Sequence, residues 1–120
     1  MASESLDGVL EVQVEAQAGW TLVHVAGDLD YGTAKFWDAG LSEPLAAGGG
    51  PVAVEVSGLT FCDTAGITCF IHAYRRAQNS GTRIVFLRPS EQVRRLLTIT
   101  GLTERLPIHD ELPEGDDATA

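Results

Sequence analysis

The sequence predicts an α/β sandwich, a mixed sheet of about five strands with helices, in the order β-β-α-β-α-β-α-β. Near its amino end, apolar and polar residues alternate with the period of half-buried strands. Further along, Pro51-Val52-Ala53-Val54-Glu55-Val56 and Ile84-Val85-Phe86-Leu87 are short runs rich in β-branched residues, as buried central strands require. Between such runs, apolar residues recur every three or four positions, the pattern of amphipathic helices that connect parallel strands by right-handed crossovers.

Taken in order, Val9 to Glu15 and Trp20 to Val25 predict a β-hairpin across Ala16-Gln17-Ala18-Gly19. Gly27-Asp28-Leu29-Asp30-Tyr31-Gly32-Thr33 reads as a loop that ends in a helix cap at Thr33. A first helix follows with Ala34, Trp37, Leu41 and Leu45 on its apolar stripe, and Phe36 falls off that stripe. Pro44 kinks or ends this helix, and Ala46-Ala47-Gly48-Gly49-Gly50 is expected to be a flexible connection. The central strand from Pro51 is bounded by Ser57-Gly58. At Thr60-Phe61-Cys62-Asp63-Thr64-Ala65-Gly66-Ile67 a buried-looking strand gives way to a second helix, with apolar Ile67, Phe70, Ile71, Tyr74 and Ala77 and a stop at Ser80-Gly81.

Thr82 to Leu87 then predicts a strand, and Pro89 suits the start of a third helix with Ser90 and Glu91 in its first turn. Val93, Leu96, Leu97 and Ile99 give that helix an apolar side, Gly101 ends it, and Arg105-Leu106-Pro107-Ile108 is expected as a last short strand. Residues 1–109 are expected to form one domain, with its first few residues flexible. Residues 110–120 form an acidic tail, in which Glu111 to Ala120 reads as a disordered end. There is no internal repeat.

A length of 120 residues fits one domain, and 44% hydrophobic content with 21% charged residues is enough for a buried core. No apolar run approaches the roughly 20 residues of a membrane span, and the acidic start Met1-Ala2-Ser3-Glu4 does not resemble a signal peptide, so the chain is expected in the cytoplasm. Cys62 and Cys69 lack the companions of a zinc site and are expected to be buried, reduced thiols. Charge is uneven: residues 1–63 carry −9, residues 64–109 carry +5, and the tail carries −5. A net charge of −9 argues against nucleic acid as a partner. The arginines fit solvated helix faces paired to the acidic segment, or contact with an acidic protein surface.

Thr64 is the residue at the strand-to-helix junction, where a hydroxyl can cap the helix or carry a phosphate. Asp28 and Asp30 suit solvated turn formers better than metal ligands or catalytic acids. His24 and His72 have no triad spacing and are expected to be structural, and neither a catalytic residue nor a cofactor is expected.

Three segments give the sequence a resemblance. They are Gly27-Asp28-Leu29-Asp30 with Thr33-Ala34, Leu59 to Ile67, and Val93-Arg94-Arg95-Leu96-Leu97 leading to Thr100-Gly101-Leu102. The chain resembles the STAS domain, shared by sulfate transporters and anti-sigma factor antagonists, and looks most like free-standing bacterial antagonists of the sporulation and stress-sigma type. The middle segment, D-S-[ST]-G-[LI] in the family, is the most specific. The resemblance implies a STAS-like sandwich and phosphorylation of Thr64 by a kinase that is itself the anti-sigma factor. It further implies partner switching: the unphosphorylated protein binds the kinase and frees a sigma factor, and a phosphatase resets the cycle. Partner contacts are expected at Asp28, Asp30, Thr33, Phe36, Asp63, Thr64, Ala65, Gly66 and Thr68, with the protein a monomer or weak dimer. Thr64 stands where the family usually has Ser, and Ala65 leaves one acceptor in the motif. The alternative implied role is a scaffold or adaptor subunit of a larger signalling assembly.

Overall fold

A computed structural model describes residues 10–46 and 49–113; residues 1–9, which include the first residues expected to be flexible, Ala47, Gly48 and the tail from Glu114 to Ala120 lie outside the described residues. Strand β1 (Leu10–Gln17) pairs antiparallel with β2 (Trp20–Leu29), and Gln17 faces Trp20. The hairpin is tighter than expected because its turn needs only Ala18 and Gly19, both at positive φ (54° and 87°). Two left-handed residues match the twist of the flanking strands, and glycine adopts that conformation without steric cost.

Strand β2 also runs through Gly27-Asp28-Leu29, which the sequence assigned to a loop. Pairing overrides local propensity there, since β2 lies parallel to β3 (Val52–Cys62), with Leu29 opposite Cys62. The same pairing carries β3 through Ser57-Gly58, where the sequence ended it. Two register shifts, between His24 and Ala26 and between Gly27 and Asp28, each insert one extra residue into β3. These are β-bulges, which bend a strand and re-aim its side chains. At the first, Gly58 admits β2 closely: a Cβ there would fall 2.9 Å from the Ala26 Cβ.

Helix α1 (Ala34–Ser42) stops before Pro44, and α2 (Thr64–Ser80) stops at left-handed Gly81, whose N–H donates to the Ala77 and Gln78 carbonyls. After β4 (Ile84–Leu87), Ser90 caps α3 (Glu91–Ile99) by accepting from the Val93 N–H. A 3-10 turn, Leu102–Glu104, and the two-residue β5 (Ile108–His109) complete the described chain order. The last strand is therefore shorter than Arg105–Ile108. Ile99 is 73% exposed rather than on the apolar side of α3. It lies two residues beyond buried Leu97, and residues so spaced do not share a helix face.

The sheet order is β1-β2-β3-β4-β5, with β2 to β5 parallel. Sequential order with right-handed crossovers places all three helices on one face. On that face Trp37, Phe70 and Phe86 stack in series, with centroid separations of 5.1 and 5.0 Å, among Val23, Val25, Leu29, Val54, Ile67 and Leu97. The opposite face buries a smaller cluster of Trp20, Leu22, Ala53, Val85 and Leu87, against which Leu112 packs.

Beyond that cluster the same face carries a buried charge. Glu55 accepts from the Ser57 hydroxyl and from Arg88 Nε at 3.3 Å, and the Arg88 Nη2 lies 2.9 Å from its second oxygen. Arg88, itself at φ 52°, also donates to the Asp110 carbonyl, tying β3, β4 and the segment after β5 together. Removing the guanidinium would leave an underpaired carboxylate that is only 8% exposed. Arg88→Ala is therefore expected to destabilise the protein by about 2 kcal/mol in urea unfolding, and adding Glu55→Gln should recover part of that loss.

Candidate functional site

The carboxyl ends of parallel strands, where loops and helix N-termini gather, are the usual site-bearing edge of such sheets. Here Asp30 and Asp63 each lie one residue past the paired Leu29 and Cys62, on neighbouring strands about 5 Å apart. The two chain ends are also laced together. Thr60 Oγ1 reaches the Asp28 carboxylate and the Gly27 carbonyl, each at 3.3 Å, and the Asp63 N–H points to the Leu29 carbonyl at 3.4 Å.

Asp63, in extended conformation, caps α2: its Oδ1 accepts from the Gly66 N–H at 3.0 Å. Thr64 is the first helical residue, is exposed, and its hydroxyl makes no hydrogen bond among the described residues. The structure thus corrects the capping reading of Thr64, because the residue before it does that work. Aspartate is among the strongest N-cap residues, and the cap position precedes the first helical residue. One turn later the Thr68 hydroxyl bonds back to the Thr64 carbonyl at 3.1 Å.

Gly66 is buried where α2 meets β2, and a Cβ there would press on the Leu29 carbonyl and lie 2.7 Å from Cys62 Sγ. Only glycine lets the start of α2 sit this close to the strand. The loop after β2 is closed by Thr33, whose hydroxyl accepts from the Asp30 N–H at 3.0 Å and donates to the Asp28 carbonyl at 2.7 Å. Asp30 Oδ1 accepts in return from the Thr33 N–H at 3.0 Å. Thr33 therefore braces the loop and does not cap α1 with its side chain, contrary to the expected role.

Of the residues expected to meet a partner, Thr64, Thr68 and Phe36 are exposed. Asp28, Asp30, Asp63 and Ala65 are half-buried, and Thr33 and Gly66 are buried. Two exposed aromatics at this end were not expected as contacts. Tyr31 in the loop after β2 is 88% exposed and Phe61 near the end of β3 is 43% exposed. Tyr31 follows Asp30 in the loop, where an exposed aromatic could have been noticed. Phe61 had no local signal, because the bulge at Thr60 decides where it points. Among the described residues, no group of three or more His, Cys, Asp or Glu side chains is placed to hold a metal ion. A cleft of about 550 Å³ between α1 and α2, lined by Asp38, Ser42, His72, Arg75, Arg76 and Asn79, begins two helical turns beyond Thr64.

Cys62 and Cys69 are free and buried. Burial, reinforced by the charge of Asp63, pushes the Cys62 thiol up to about 12; burial and the charge of Asp38 push Cys69 up to about 11. Such thiols stay protonated and unreactive in the folded protein. Raised native values mean that the folded state holds these protons longer than the unfolded state. Their contribution to stability is complete below pH 9 and falls as pH rises towards about 11 to 12. Urea midpoints should decline over that window, and less steeply in Cys62→Ala.

The cap assignment separates two neighbouring substitutions. Asp63→Ala is expected to cost about 1 kcal/mol in urea unfolding, whereas Thr64→Ala should change stability by no more than about 0.5 kcal/mol.

A profile of the STAS domain matches residues 11–115 of this chain. In fold, the chain is similar to the unphosphorylated anti-sigma factor antagonist SpoIIAA, with 20% identity over 91% of this chain and 96% of that one, at a TM-score of 0.69. An anti-sigma factor antagonist from Mycobacterium paratuberculosis aligns at 22% identity over 96% and 95% of the two chains, also at 0.69. The anion transporter Slc26a9 from mouse contains the same fold as part of a longer chain: 16% identity, 87% of this chain, 18% of the transporter, TM-score 0.70. With the sheet order, the three helices on one face and the Asp63–Gly66 junction, the match over residues 11–115 establishes that this chain belongs to the STAS domain family.

Proposed function

We propose that the chain is an anti-sigma factor antagonist that binds an anti-sigma factor serine/threonine kinase and is switched off by phosphorylation of Thr64. The observation that carries this reading is the exposed Thr64 hydroxyl, freed from capping by Asp63, at the edge where the ends of β2 and β3 converge. The solved fold relatives described as antagonists, one of them SpoIIAA of Bacillus in its phosphorylated form, support it. In this reading the protein is a cytoplasmic regulator rather than an enzyme, a monomer or weak dimer, and a phosphatase restores its binding form.

The chemistry of the switch is local. A phosphate on Thr64 would add about −1.5 to −2 charge at the first turn of α2, where free N–H groups and the helix dipole accommodate an anion. The fold can therefore tolerate the modification. The kinase surface would meet that charge added to Asp63 and Asp30, and repulsion together with the cost of desolvating the phosphate would weaken the complex by about a hundredfold or more. Only Thr64 in the motif can accept the phosphate, since Ala65 has no hydroxyl. Its β-branched side chain suits a kinase whose pocket accepts the extra methyl group.

Mass spectrometry of protein from its native host, on the tryptic peptide from Phe36 to Arg75, should find phosphate on Thr64 in at least one growth or stress condition. A bare Thr64 in every condition would contradict the switch. For the purified protein, Thr64→Asp should lower affinity for the host's anti-sigma factor kinase by about a hundredfold while leaving the melting temperature unchanged.

A further inference from the structure

Two short triplets of residues line one groove beside the carboxyl-terminal half of α2. On α2, Ile71, Tyr74 and Arg75 fall at helical spacings of three and four and so share one side. In the turn after α3, the Arg105 and Leu106 N–H groups both donate to the Leu102 carbonyl, at 3.0 and 2.8 Å, which brings Leu102, Arg105 and Leu106 together in the same way. The groove between the triplets has a volume of about 280 Å³. Its floor is apolar: Leu102 and Leu106 belong to the main core, and Ile71 and Tyr74 pack against that core. Its rim is cationic, with one exposed arginine from each wall. Arg75 stands about 16 Å along α2 from Thr64, so the groove is separate from the candidate phosphosite.

Most arginines of this chain are already committed. Arg76 donates to the Asp38 carbonyl and the Ser42 hydroxyl, Arg83 lies over the Trp20 ring, Arg88 pairs with Glu55, and Arg94 pairs with Asp110. Arg75 and Arg105 make no hydrogen bond or ion pair among the described residues, and no Asp or Glu among those residues lines their groove. The cleft between α1 and α2, by contrast, holds Asp38, and a further groove on α3 holds Glu91. A guanidinium presents paired N–H donors that match a carboxylate. We propose that the groove is a binding site for a small amphipathic carboxylate. Arg75 and Arg105 hold its anionic head, and Ile71, Tyr74, Leu102 and Leu106 receive its aliphatic or aromatic body. A volume of about 280 Å³ is at the low end for ligand sites and limits that body to a short chain or a single ring. The acidic tail of this chain is a poor occupant, since residues 114–120 offer no large apolar side chain for the floor, and Leu112 leads into them from the other face of the sheet.

The test titrates the full, isotope-labelled chain with octanoate and follows its amide NMR shifts. Saturable shifts are expected, centred on residues 71–78 and 102–106, with a dissociation constant of about 0.1 to 1 mM, as suits so small a ligand. Acetate has the head without the body and octanol the body without the head, so each should bind about tenfold more weakly or worse. Arg75→Ala and Arg105→Ala should each weaken octanoate binding by about fivefold with an unchanged melting temperature. Arg95→Ala removes an exposed arginine of α3 that does not line the groove, and should bind as the wild type. If either alanine variant melts early, Arg75→Gln and Arg105→Gln carry the comparison. Shifts that do not saturate, shifts centred on Trp20 and Leu112, equal binding of acetate, or an equal loss in Arg95→Ala overturns the site. No readout depends on Thr64 or on a kinase, so the site and the antagonist reading stand or fall separately.

Discussion

The side-by-side ending of β2 and β3 is the constraint on which the Thr64 edge depends. Leu29 opposite Cys62 fixes where both strands stop, and it delivers Asp30 and Asp63 to adjacent positions. The start of α2 then packs against the Leu29 carbonyl, a contact that only Gly66 allows. A side chain at that position would have to push α2 outward and move Thr64 with it. Leu29, Cys62, Asp63 and Gly66 therefore place the exposed hydroxyl relative to the sheet, and the Trp37–Phe70–Phe86 stack anchors α2 behind it.

Polar groups at this edge divide into a frame and a surface. Thr33 and Asp30 satisfy each other's backbone and side chain, Thr60 holds Asp28, and Asp63 is committed to the cap. An exposed acceptor on a braced frame suits modification without refolding, since a new phosphate meets free N–H groups and solvent before it meets the core. The Glu55–Arg88 pair does comparable structural work elsewhere, holding β3, β4 and the segment after β5 together.

Much of this was legible in the sequence, and the failures have physical causes. Helix stripes, the Gly81 and Gly101 stops and the buried runs of β3 and β4 follow from local periodicity and turn chemistry, so their elements appeared where expected. The extension of β2 through Gly27 and of β3 through Gly58 did not, because parallel pairing between distant segments outweighs the low strand propensity of glycine. Asp63, Thr64 and Gly66 in series marked the candidate site. Which residue capped α2 depended on where its first turn began, and the exposure of Phe61 depended on a bulge that only the strand register reveals. Leu112, in a stretch whose composition suggested disorder, packs against the second apolar cluster, on the face that none of the described helices covers.

The central claim is that Thr64 can take a phosphate as a local change of charge on an unchanged fold. Its most direct test is the amide NMR spectrum of the protein carrying phosphothreonine at position 64, compared with the unmodified chain. The account predicts shifts confined to residues 28–33 and 61–68, the ends of β2 and β3 and the first turn of α2. Shifts of comparable size spread through α1, α3 and β5 would mean that phosphorylation rearranges the domain, and would contradict it.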